Sequence, residues 1–197
     1  MRTAGCQHGF SILELLATLA IVGVIASIAL PSGTRTLNDL RLRGDARNLH
    51  NTVALAKMRA AARYSRERIY VDVSGNSYHL QYWDKTAGDW VNEDDGTIDL
   101  SSGVAFGYGA LESPPPSTQS AIGQSPACLT KTNTSISNTA CIVFNSRGIP
   151  VDSSGSPTGN SAFYITDGTG TYGITLSATP LIRLWWTKAS EATWIHR

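Results

Sequence analysis

Between Phe10 and Leu30 the chain runs for twenty-one residues with a single charge, Glu14. As an α-helix such a run would be roughly 31 Å long, the thickness of a bilayer's hydrocarbon core. A carboxylate near one end of it costs on the order of a few kcal/mol in lipid and normally marks function. It needs a cationic partner, or it takes up a proton. The chemistry offered at this position is electrostatic pairing.

Other residues with chemical potential are more dispersed. His50, His79 and His196 fall on different stretches, and no Gly-x-Ser-x-Gly elbow, His-Glu-x-x-His or carboxylate pair accompanies them. No active site and no cofactor is expected. Gly168-Thr169-Gly170-Thr171-Tyr172-Gly173 fits the dinucleotide fingerprint by letter. That motif needs a helix after its glycines, whereas the residues here are β-branched and strand-like, so a hairpin turn is expected. Asn92 to Gly96 is acidic but lacks the alternating ligands of a calcium loop. Arg183 and Trp185 would share one face of a strand, a cation beside an aromatic ring, which is the minimal unit of a single-strand nucleic-acid contact. Cys6, Cys128 and Cys141 show no C-x-x-C spacing, so no metal site is expected. Cys128 and Cys141 suit a disulfide in an oxidising compartment, with two free thiols as the alternative.

The elements that must carry these residues follow from periodicity. Pro31 cannot donate a backbone hydrogen bond and is expected to kink or interrupt the helix. Apolar residues then return at helical spacing at Leu37, Leu40, Ala46, Leu49, Val53, Ala56 and Ala60. The spacing predicts one long helix from about Phe10 to about Arg66, apolar all round over 10–30 and amphipathic over 31–66. From 67 onward the chain reads as short strands: 69–73 and 78–83 as a hairpin, then segments near Val91, 97–100, 104–106, 141–144, 162–166, 172–176 and 181–186. Residues 107–140, with Pro114-Pro115-Pro116 and many Ser, Thr and Gly, predict a long loop. The fold class is α+β, a long N-terminal helix packed on a β-rich head.

Net charge is +1, unevenly spread: Arg35 to Arg68 holds nine basic and three acidic residues, while 69 onward holds six basic and eleven acidic. The basic stretch could meet anionic lipid or nucleic acid, but a face complementing the acidic head explains it as well. The arginines after the apolar run would by charge alone place the head in the cytoplasm; the cysteine pair points the other way. An ordinary secretory signal has a shorter apolar region, although a cut near Ala29 is an alternative.

Gly9-Phe10-Ser11-Ile12-Leu13-Glu14-Leu15 after a short polar leader, with Gly23 in mid-helix and Pro31 closing the span, resembles the class III signal of type IV prepilins and type II secretion pseudopilins. His8 stands where that family usually carries Lys or Arg. The resemblance implies a leader of residues 1–9, cleavage between Gly9 and Phe10 by a prepilin peptidase, and methylation of the new amine of Phe10. It implies that Glu14 attracts the amine of a neighbouring subunit, and that 10–30 is a transmembrane helix before assembly. The layout of strands around Phe144-Asn145-x-x-Gly148 is similar to the GspH/FimT group. That implies a minor pseudopilin or pilin, single-pass in a bacterial inner membrane with its head in the periplasm, helping to initiate or cap a filament. Its implied partners are other pilins or pseudopilins through the N-terminal helix, the peptidase, the inner-membrane assembly platform and the bilayer. Type II secretion and type IV pili share all these signals. Some members of the group take part in DNA uptake through a Gly-Arg-x-Arg turn, of which Pro180-Leu181-Ile182-Arg183 keeps only the last arginine; DNA is therefore not the expected partner.

Overall fold

The computed structural model describes residues 11–93, 96–191 and 193–197, with side chains left out over 28–35. The leader, Gly9, Phe10, Asp94 and Asp95 lie outside the described residues. The chain divides into two compact units, the first ending at Asn38 and the second running from Asp39 to Arg197.

The chain opens on α1, Ile12–Ala62. Pro31 does not interrupt it: of the expected kink or interruption, the interruption is absent, and residues on both sides are helical. A proline inside a helix forfeits its own N–H bond, and the hydrogen bonds of the flanking turns carry the helix through. The end comes earlier than the expected Arg66. Tyr64 sits in the left-handed region at φ 48°, and the amide of Ser65 donates back to the carbonyl of Ala60. This is a Schellman closure, with a tyrosine where glycine is commonest.

Among the described residues of the second unit eleven strands follow: β1 Glu67–Asp72, β2 Ser77–Asp84, β3 Asp89–Asn92, β4 Ile98–Asp99, β5 Ala105–Phe106, β6 Thr139–Phe144, β7 Pro150–Val151, β8 Ser161–Thr166, β9 Gly170–Leu176, β10 Ile182–Lys188 and β11 Ile195–His196. They form two antiparallel sheets. The first has the order β3-β2-β1-β6-β7, with β4 also paired to β2; the second has the order β11-β10-β9-β8-β5.

Within the second unit, α1 buries Leu42, Ala46, Leu49, Val53, Ala56 and Ala60, spaced alternately by four and three, a single stripe at helical period. Leu40 was expected on this stripe but is exposed, and Leu42 takes its place. Four residues before Ala46 lies on the stripe; six before it lies on the far side of the helix. The stripe packs against Ile69, Val71, Tyr78, Leu80, Ile142 and Phe144 of the first sheet and Phe163, Ile165, Tyr172 and Ile174 of the second. Alternation along the strands does the rest: every second residue enters this core.

Residues 107–138 contain no strand. Part of this loop lies on the second sheet, where the Tyr164 hydroxyl donates to Gln119 Oε1 at 2.7 Å. Gln124 both accepts from the Tyr164 amide (2.9 Å) and donates to its carbonyl (2.8 Å). Gly173 stands opposite Tyr164 in the ladder. A Cβ on Gly173 would lie 2.8 Å from the tyrosine ring, so only glycine lets the ring lie flat there.

Candidate functional site

Ser11 starts α1. Its hydroxyl accepts from the amide of Leu13 at 3.3 Å, and its carbonyl accepts from Glu14 and Leu15 at 3.0 and 3.1 Å. Ser-x-x-Glu is the sequence form of a capping box, so Glu14 has a local reason to sit in the first turn: its charge complements the positive end of the helix dipole. That signal is present in the sequence and does not require a partner. What a cap does not account for is the surroundings of Glu14. Ile12 is 80% exposed and Leu13 76%, and Leu15, Leu16, Leu19, Ile21, Val22, Val24 and Ile25 are exposed as well. Apart from Glu14 and Thr18, residues 12–25 expose apolar side chains of the kind that mark protein or membrane interaction surfaces. Among the described residues no helix is long and apolar enough to cross a membrane. The described side chains of this segment run from 11 to 27, and the 10–30 span extends past them at both ends.

In the second unit, Cys128 and Cys141 are bonded, with their Cα atoms 4.9 Å apart. The bond ties the end of the long loop to β6 and fixes residues 128–136 beside the outer face of the first sheet. A cavity of about 530 Å³ lies there. Its floor follows from the strand register. Arg68 pairs with Gln81, Tyr70 with His79, and Gln81 with Asn92, so these side chains share the face opposite the core. Arg68 donates from Nε to Gln81 Oε1 (2.6 Å) and from Nη1 to the Leu129 carbonyl (2.7 Å). Gln81 in turn donates to Asn92 Oδ1 at 2.6 Å. The guanidinium lies 4.1 Å from the Trp90 ring centre and 5.6 Å from that of Tyr70. Burial pushes the Arg68 pKa down to about 10, against the opposing pull of Tyr70 and Asp89, so it remains charged at neutral pH. His79 stacks on Tyr70 at 4.9 Å, and its buried Nε2 has no hydrogen-bond partner among the described residues. Burial holds its pKa below the usual 6.5, helped by the nearby Arg68 charge and opposed by a bond to Asn92.

A second polar cluster joins α1 to the sheet. Glu93, buried, forms ion pairs with Arg59 from the last turn of the helix and Arg63 just past its end, and Arg63 also lies 4.0 Å from the buried Glu67. Neither this cluster nor the groove was expected from the sequence. The groove left a trace there, since the residues facing it alternate with core residues: Arg68 and Tyr70 in β1, His79 and Gln81 in β2.

The remaining candidate residues stay apart. Among the described residues no group of His, Cys, Asp and Glu could hold a metal ion. His50 and His196 join neither cluster. Gly168, at φ 83°, turns β8 into β9, and Asp167 accepts from the amides of Thr169 and Gly170, so the glycine run is a hairpin. Arg183 and Trp185 do share a face of β10. Arg183 is exposed, but Trp185 is buried, donates its indole N–H to Thr175 and lies edge-on to His196. No open indole face is left there for a base.

Residues 5–30 match the family described as "Prokaryotic N-terminal methylation motif". The chain therefore opens on a prepilin-type N-terminus. Among solved structures it is similar to the minor pseudopilin EpsH from the Type 2 Secretion System of Vibrio cholerae, at 12% identity and a TM-score of 0.46, over 77% of this chain and 99% of that one. No curated protein matches.

Proposed function

We propose that this chain is a structural subunit of a pilin-like filament, a minor pseudopilin of a type II secretion system that helps initiate or cap the periplasmic filament. The observation that carries the reading is the methylation motif over 5–30, with one carboxylate set in an exposed apolar surface. A prepilin peptidase cuts between Gly9 and Phe10 and the new amine is methylated. The 10–30 segment rests in the inner membrane until assembly and then packs against its counterparts in the filament. Glu14 is costly in lipid and gains a partner only when a neighbour's Phe10 amine reaches it, which favours the assembled state. The disulfide suits a head in the periplasm. The same parts serve a minor pilin of a type IV pilus, and crosslinking to the major subunit of either machine separates the two.

The test has two stages. Mass spectrometry of membrane-extracted protein should give a chain beginning at methylated Phe10. The Glu14→Ala variant should be cut as efficiently as the parent but recovered in sheared filaments at a small fraction of its level. An uncut N-terminus, or normal incorporation of Glu14→Ala, overturns the proposal.

A further inference from the structure

Arg68 is out of place for a purely structural residue. It is 3% exposed, yet among the described residues no carboxylate lies within ion-pair reach of it. Asp89 acts on it only at longer range and is itself paired with Lys131 at 3.2 Å. Removing a cation from water costs several kcal/mol unless an anion or a full set of acceptors replaces the lost hydration. Here two of the five N–H groups of the guanidinium are used, both toward neutral oxygens. The side chain is nevertheless held firmly, between the Trp90 and Tyr70 rings and against Gln81. It lines a cavity of about 530 Å³, within the size range of small-ligand sites. A charged donor that is buried, fixed in place and without a counter-ion is an arrangement prepared for an anion.

We infer that this groove binds a carboxylate-bearing ligand of roughly monosaccharide or amino-acid size, with Arg68 as its counter-charge. The planar guanidinium matches a carboxylate through two parallel hydrogen bonds. The charges at the groove are Arg68, Lys131 and Asp89, a balance of one positive charge, which suits a monoanion better than a doubly charged phosphate. Asn92, Thr130 and Thr132 line the remainder and can meet hydroxyl or amide groups on the body of the ligand. The Cys128–Cys141 bond holds the wall of the groove in place, because the carbonyl that receives Arg68 belongs to Leu129, next to the cystine.

The experiment uses the full chain in detergent. Galacturonate and N-acetylalanine supply the carboxylate on a sugar and on an amino acid, and each is compared with its uncharged primary amide. Binding is followed by the indole N–H resonance of Trp90, assigned with Trp90→Phe. At least one acid should shift that resonance and bind ~10-fold or more tightly than its amide; which acid does so identifies the source of the carboxylate. Arg68→Gln should remove the difference between acid and amide. Because Arg68→Gln could fail to fold, the acid-against-amide comparison on the unaltered chain decides alone. Equal binding of acid and amide, no binding by either acid, or binding that leaves Trp90 unmoved overturns the inference.

Discussion

The two units of this chain treat large apolar side chains in opposite ways. In the first, Ile12, Leu16, Leu19 and Ile25 stand exposed; in the second, Leu42, Leu49 and Val53 of the same helix α1 are fully buried. The residue types are alike, so composition does not make the difference. Polar residues in the second unit leave a stripe that the sheets can cover, whereas residues 12–25 are apolar on every side but for Glu14 and Thr18. The second unit has a buried core of its own. The N-terminal segment leaves its apolar side chains exposed.

The contrast can be pressed at several points. The largest effect is expected from Phe144→Ala, which empties a fully buried position and should cost the head about 3–5 kcal/mol in urea unfolding. Leu19→Ala, chemically similar, should leave the stability of the head within ~0.5 kcal/mol. A comparable loss from both would erase the distinction between the units. Next, replacing Cys128 and Cys141 together by serine should lower stability by about 3 kcal/mol. It should also raise proteolysis within 107–138 more than anywhere else in the head. Smaller again, Glu93→Gln should cost about 2 kcal/mol, discounted because Arg59 and Arg63 are partly exposed. An Arg63→Gln background should absorb part of that loss, as a double-mutant cycle would show.

The smallest effect concerns pH. His79 has a folded pKa below 6.5, so below that pH the unfolded chain binds more protons than the folded one. The stability that His79 contributes is present above pH 6.5 and is lost as pH falls from there through its folded pKa. His79→Gln should flatten the stability profile across that interval and leave the values above pH 7 nearly parallel to the parent. An unchanged slope would mean that the imidazole titrates as freely in the fold as out of it.

Much of this architecture is legible in the residues. Alternation placed the β1–β2 hairpin, and Gly168 with its neighbours read correctly as a turn because β-branched residues follow them. The helical stripe was found but misphased at its start, since Leu37 and Leu40 look apolar enough to join it and only packing distinguishes them from Leu42. β7 and β11 are two residues long and carry no period to detect. The Glu93 cluster depends on the end of β3 meeting the end of α1, residues 30 positions apart, and nothing local announces such a pairing. The groove failed for another reason. Arg68, within a run of arginines, reads as a solvated charge, and only the register with Gln81 shows that it lies indoors.

Gln124 has one more consequence. β5 covers only the end of β8, pairing with Ile165 and Thr166. Just beyond it, the Tyr164 carbonyl accepts from both the Gly107 amide and the Gln124 side chain, Gln124 also takes the Tyr164 amide, and the amide of Ser125 donates to the Ala162 carbonyl. A carboxamide here does the work of an absent strand, and the rim of the second sheet is sealed against templated growth. Heads brought side by side, at the high local concentration that any ordered array imposes, cannot fuse through this rim into a continuous β-structure.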